Sequence, residues 1–141
     1  MANLIQDWMT TEVITTTSDE TIIQADEILR EYGIRRLPVV NDRGKVVGII
    51  TKGDVREAKP SDASSLSIWE INYLVAKLKV RDVMTNNVLT VLPTDEIEEA
   101  ADVMLNNKVS GLPVVTEGGE LVGTNMSLMV LRYPDGDVAA I

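Results

Sequence analysis

The chain has 141 residues, 45% hydrophobic and 25% charged, enough for one compact domain or two small ones. It contains no cysteine and no histidine, which removes disulfides, thiolate catalysis, imidazole bases and ordinary zinc or copper ligation. A formal charge of −9 argues against nucleic acid as a partner, and with no apolar run of about 18 residues and no basic-then-apolar leader the expectation is a cytoplasmic protein without a membrane span.

In chain order, a short β run "VIT" (13–15) comes first. A helix follows, with Ile22, Ala25, Ile28, Leu29 and Tyr32 at helical spacing. Its start fits Thr21 with Gln24 or Thr17 with Glu20 as a capping box, and Gly33 stands where a helix-ending glycine belongs. "LPVVN" and "VVGIIT", joined by "DRG", predict a β-hairpin, and a short second helix should follow Thr51. Residues 59–79 then read as a linker: "KPSDASS" is loop by composition, and Leu66, Trp69, Tyr73, Leu74 and Val75 suit an amphipathic helix that covers one side of a core. Beyond it the order recurs, with a β run "VLTV" (88–91) and a helix on Ile97, Ala100, Ala101 and Met104. "LPVVT" and "LVGTN", joined by "EGG", make the second hairpin, with a less clear helix after Asn125. The tail 136–141 carries no motif.

The recurrence is a repeat. At a shift of 75 residues, without gaps, Met9 falls on Met84, Thr10 on Thr85, Pro38 on Pro113 and Gly48 on Gly123. Two β-α-β-β-α units, 1–58 and 80–135, give an α/β (α+β) architecture. At this size each unit is marginal alone, so the two are expected to pack sheet to sheet about a pseudo-twofold axis, with crevices between them as binding places.

The ordered set "VMT…VLTV", "IRRLPVVNDRGKVVGIITKGDV" and "GLPVV…LVG" resembles a tandem pair of CBS domains (a Bateman module) of the stand-alone bacterial or archaeal type. The resemblance covers nearly the whole chain, and the linker is similar to that of CBS pairs associated with acetoin utilisation. It implies a regulatory module that binds an adenosyl compound, such as AMP, ADP, ATP or S-adenosylmethionine. It also implies a disc-like homodimer, an effector protein that the sequence does not name, and no required cofactor.

Thr51 and Asp54 have two readings. [Ser/Thr]-x-x-[Asp/Glu] is a capping box in its own right. It also completes the family's Gly-h-x-[Ser/Thr]-x-x-Asp pattern through Gly48 and Ile49, in which the aspartate accepts bonds from both ribose hydroxyls. The resemblance further implies a base held by Asn87, Val88, Val109, Leu112 and Pro113 of the second repeat. It places phosphate contacts at Arg35 and Arg36, with Lys108 and Ser110 at the matching positions. Guanidinium forks fit phosphate oxygens, though an exposed arginine pair is also an ordinary surface feature. Met126 and Met129 align with Thr51 and Asp54 and cannot read a ribose, so one competent site per chain is expected. Each added phosphate brings more charge to an acidic protein with few basic residues placed to answer it, which favours AMP or ADP over ATP.

No P-loop, Rossmann glycine pattern, nucleophile elbow or metal-ligating cluster is visible, so no catalytic or metal residue is assigned and an enzyme is not expected. The alternatives are a ligand-free dimerisation scaffold and a divalent metal-ion sensor.

Overall fold

The computed structural model describes residues 3–59, 67–109 and 111–125. In chain order they form a 3-10 turn (Ile5–Asp7), α1 (Ile22–Glu31), β1 (Arg36–Val40), β2 (Val46–Thr51), α2 (Lys52–Ala58), α3 (Ile68–Lys77), α4 (Val80–Val83), α5 (Ile97–Asn107), β3 (Leu112–Val115) and β4 (Leu121–Asn125). The mixed α+β class is as expected. The second helix anticipated after Asn125 falls outside the described residues, as do Leu66, Ser110, Met126 and Met129.

The chain divides into two compact units, and each draws on both repeats. One holds α1, β1, β2 and α2 together with α3 and α4, out to Val88. The other holds the N-terminal turn with α5, β3 and β4. The opening of each repeat therefore joins the helix and hairpin of the other. The reason is a pair of backbone bonds made twice. Ile22 N–H donates to Leu78 C=O (3.0 Å) and Val80 N–H to Glu20 C=O (2.8 Å). At the 75-residue-shifted positions, Ile97 N–H donates to Asn3 C=O and Ile5 N–H to Asp95 C=O, both at 2.9 Å. A helix's first N–H groups lack intrahelical partners; Leu78, at the end of the linker, satisfies one for α1, and Asn3, at the start of the first repeat, satisfies one for α5. Val80 and Ile5 are then buried as matching plugs.

In the unit built around the first hairpin, Thr21 rather than Thr17 caps α1: its Oγ1 accepts from Gln24 N–H at 3.2 Å while Gln24 Oε1 accepts from Thr21 N–H at 2.9 Å. The helix ends at Tyr32, followed by Gly33 at φ 62°, and Ile34 N–H reaches back to Leu29 C=O at 3.0 Å. Ile22, Ala25 and Leu29 face Leu37, Val39 and Ile50 of the antiparallel β1–β2 hairpin, with Val55, Val75 and Val80 closing the core. Lys59, just past α2, ties back to Asp26 of α1 at 3.6 Å. In the other unit Ile97, Ala100, Ala101 and Met104 pack with Leu112, Val114, Val91 and Ile5.

The expected opening strands do not form: the first repeat has one bridging residue, Thr16, just past 13–15, and the second has Val91, the last of 88–91. Thr16 bridges Val39 and Val91 bridges Val114, both parallel. Thr16 N–H donates to Pro38 C=O (3.0 Å) and Thr16 C=O accepts from Val40 N–H (2.9 Å). The next rung back would need an N–H at Pro38 for Ile14, and proline has none. Pro113 ends the matching ladder at Val91 in the same way.

The linker helix exists as α3, but its faces are not those expected. Ile71, Val75 and Leu78 turn inward, and α3 contacts α1. Trp69, Tyr73 and Leu74 of the expected apolar stripe are exposed. The stripe is ambiguous in the sequence because apolar residues occur on both sides of this helix.

Candidate functional site

The corner where β2 becomes α2 collects the strongest candidates. Strand geometry ends at Thr51, whose φ and ψ of −113° and 164° remain extended, and α2 begins at Lys52. The turn is locked reciprocally. Thr51 Oγ1 accepts from Asp54 N–H at 3.0 Å, and Asp54 Oδ2 accepts from Thr51 N–H at 2.9 Å. The capping reading of this pair is therefore correct. It does not exhaust the pair's chemistry: Oδ1 of the half-buried Asp54 takes no hydrogen bond among the described residues, and the Thr51 hydroxyl keeps its proton to donate. The cap fixes the carboxylate without consuming it.

Register brings the arginines to the same corner. Arg36 pairs across the hairpin with Thr51, and Arg35 C=O accepts from Lys52 N–H at 2.8 Å. Arg36 is half-buried, and burial pulls its guanidinium below the usual arginine range, helped by the like charge of Arg35. It stays protonated at neutral pH, so two cations are held close together with one partly desolvated. Arg35 is exposed and makes no ion pair among the described residues. Lys52, exposed at the first position of α2, adds a third cation that the motif did not signal.

Asn87 and Val88 lie in this same unit. Thr85 pairs antiparallel with Ile49 of β2, through Ile49 N–H to Thr85 C=O at 3.0 Å and Thr85 N–H to Ile49 C=O at 2.9 Å. Asn87 and Val88 follow two and three residues later, exposed and half-buried respectively. Gly48 makes this approach possible: a Cβ there would sit 2.5 Å from Met84 Sδ and 3.1 Å from Thr85 C=O. The sequence did register this contact, as the coincidence of Met9 with Met84 and Gly48 with Gly123, but without its meaning. Arg35, Arg36, Thr51, Asp54, Asn87 and Val88 are thus gathered in one unit.

Lys108, Val109, Leu112 and Pro113 belong to the other. Lys108 ends α5 in the left-handed conformation, φ 55°, and is exposed. Val109 N–H closes that end onto Met104 C=O at 3.0 Å. Leu112 and Pro113 open β3, fully covered. Among the described residues no three acidic side chains come together in a way that could hold a metal ion, and no helix is long and apolar enough to cross a membrane.

The CBS domain pattern matches residues 5–61 and 80–124. The chain belongs to the CBS domain family. It is 30% identical over 137 residues to the uncharacterized protein MJ1225 of Methanocaldococcus jannaschii, covering 92% of this chain and 46% of that one. It is 37% identical over 112 residues to an inosine-5′-monophosphate dehydrogenase of Korarchaeum cryptofilum, covering 79% and 20%. This CBS chain thus spans less than half the length of these two curated relatives. Among solved structures, the CBS domain pair of protein MJ0100 in complex with 5′-methylthioadenosine and S-adenosyl-L-methionine superposes with a TM-score of 0.74 at 31% identity, covering 90% of this chain and 91% of that one. CBSX2, an Arabidopsis thaliana CBS-pair protein, solved in complex with AMP, gives 0.76 at 28% identity, covering 92% and 93%. Similar CBS pairs therefore bind adenosyl compounds.

Proposed function

We propose that this CBS pair is a regulatory module that binds an adenosyl nucleotide, with Asp54 reading the ribose hydroxyls, Thr51 assisting, and Arg35 and Arg36 meeting the phosphate. The observation that carries the reading is the open Oδ1 of a cap-fixed carboxylate at the hairpin corner where Arg36 pairs across the strands with Thr51. An ionised carboxylate suits two vicinal hydroxyls, and guanidinium forks suit phosphate oxygens. Asn87, Val88, Val109, Leu112 and Pro113 are proposed as the base-holding residues, with Lys108 and Ser110 as further phosphate candidates, on the family pattern. AMP or ADP is the favoured ligand, because each further phosphate adds charge to a chain at −9. Binding would bias a conformational equilibrium that an effector protein reads, as a ligand shifts the state it prefers. The chain acts as a cytoplasmic regulator, not an enzyme, in this reading.

Titration calorimetry with AMP, ADP, ATP and S-adenosylmethionine tests the proposal. Heat with AMP or ADP is expected; silence with all four would overturn it, and metal-free ATP binding far tighter than AMP would overturn the preference. The reciprocal cap favours one competing reading, a ligand-free scaffold in which Asp54 only starts a helix. Asp54→Asn separates the two. An amide oxygen can still accept from Thr51 N–H, so the fold stays intact, while the charge that holds the sugar is gone. Unchanged ligand affinity in that variant would favour the scaffold.

A further inference from the structure

We propose that Met9 and Met84 are sites of reversible oxidation by peroxide. Each thioether covers a backbone bridge between the opening segment of one repeat and the hairpin of the other, and its conversion to the sulfoxide releases that bridge.

The two latches are built alike. Met84 N–H donates to the carbonyl of the buried plug Val80 at 2.8 Å, and Met9 N–H donates to that of the plug Ile5 at 2.9 Å. The next residue in each case forms a two-bond bridge to a strand. Thr85 exchanges bonds of 2.9 and 3.0 Å with Ile49 of β2, and Thr10 exchanges bonds of 2.7 and 2.9 Å with Thr124 of β4. The methionine lies over the glycine that precedes the bridged strand residue. A Cβ on Gly48 would meet Met84 Sδ at 2.5 Å, and one on Gly123 would meet Met9 Sδ at 2.8 Å. The thioether therefore stands where the glycine's own side chain would be.

Both sulfurs are placed to react. The chain has no cysteine, so no thiol competes for the oxidant. Met9 and Met84 are half-buried at the edges of their cores, whereas Met104 is 0% exposed inside one. In the reaction a sulfur lone pair attacks one peroxide oxygen and the O–O bond breaks. An S–O bond forms, the sulfur loses two electrons, and the second oxygen leaves as water. The new oxygen is a hydrogen-bond acceptor. The polar backbone atom at each contact is an acceptor too, the carbonyl oxygen of Thr85 or Thr10, 3.1 and 2.8 Å from the Cβ positions of Gly48 and Gly123. The sulfoxide is thus better satisfied by water, and an unbranched side chain turns outward easily. Glycine has nothing to put in its place, so water reaches the bridge.

The Met84 latch adjoins the hairpin corner. Asn87 and Val88 follow Thr85, and Thr51 follows Ile49 by two residues, so opening this bridge loosens segments proposed to hold the nucleotide. That consequence alone rests on the nucleotide reading.

Hydrogen peroxide applied to the full chain tests the proposal. Peptide mass spectrometry should find Met9 and Met84 oxidised at least about tenfold faster than Met104. Amide hydrogen exchange should then quicken at least about tenfold at Thr10, Ile49, Thr85 and Thr124 while Ala25 in α1 is unchanged, and methionine sulfoxide reductase should restore the original pattern. Met9→Leu combined with Met84→Leu nearly conserves volume and cannot be oxidised, so this variant should keep its exchange pattern through the same treatment. Four results would overturn the proposal: Met9 and Met84 as resistant as Met104; bridge amides still protected after both are oxidised; an equal rise at Ala25, which is global unfolding; or a double variant that loses protection as the parent does. None of these readouts uses a nucleotide, so a chain that binds none would overturn the earlier reading and leave this one standing.

Discussion

The two hairpins are the same object made twice, and their surroundings differ. β1–β2 and β3–β4 share an antiparallel register and an irregularity at equivalent places, between Val39 and Val40 and between Val114 and Val115. Both carry a proline that stops a third strand after one residue, and both carry a glycine under a methionine. The helix before each hairpin ends differently: Gly33 takes the left-handed conformation in the first repeat, and Lys108, its equivalent, takes it in the second. The exits differ more. Thr51 and Asp54 stand after the first hairpin, Met126 and Met129 after the second. Positions that build the hairpin are duplicated, while the residues that follow it in the sequence have diverged.

The core comes first among the expected effects. Leu29→Ala and Met104→Ala remove equivalent fully buried side chains and should each cost about 2–5 kcal/mol in denaturant unfolding. A near-neutral result at either would mean that the two cores are not equivalent. Met104→Leu should cost less than about 1.5 kcal/mol, since it nearly conserves volume.

The close-approach glycines should sharpen the comparison. A Cβ on Gly123 would lie 2.8 Å from both Met9 Sδ and the Thr10 carbonyl oxygen, whereas one on Gly48 meets mainly the Met84 side chain. A methionine can swing aside and a paired strand backbone cannot. Gly123→Ala should therefore cost about 2–3 kcal/mol and Gly48→Ala about 1–2 kcal/mol, read as a difference in melting midpoint. Equal costs would show that Met84 is as fixed as the backbone.

At the rim, Asp54→Ala should weaken an adenosyl ligand by about 1.5–3 kcal/mol, ten- to a hundredfold in Kd. Met129→Ala should leave the affinity nearly unchanged. If Met129→Ala abolished binding in a folded protein, the roles assigned to the two repeats would be reversed.

The smallest effect belongs to the helix ends. Lys108 holds a conformation that costs a non-glycine residue about 1–2 kcal/mol, part of which glycine returns through a freer unfolded chain. Lys108→Gly should therefore stabilise by about 0.5 kcal/mol, and Gly33→Ala should destabilise by about 1 kcal/mol. A destabilised Lys108→Gly would point to a contact of the lysine side chain that repays its backbone.

By itself the sequence determined the repeat, the helix and hairpin of each half, and the motif at Thr51 and Asp54. These are local: they rest on periodicity, turn residues and caps spaced three or four apart, which neighbouring residues enforce. What it could not determine was how segments far apart in the chain share hydrogen bonds. That Leu78 and Asn3 cap α1 and α5, that Pro38 and Pro113 reduce a strand to one rung, and that Trp69 and Tyr73 face outward while Ile71 and Val75 face in are decided by partners distant in sequence. Composition at those positions permitted either outcome. The site was legible to the same depth. The motif named Thr51 and Asp54, but only the folded hairpin set Arg36 across from Thr51 and left one oxygen of Asp54 open, because register and geometry exist only once both strands are in place.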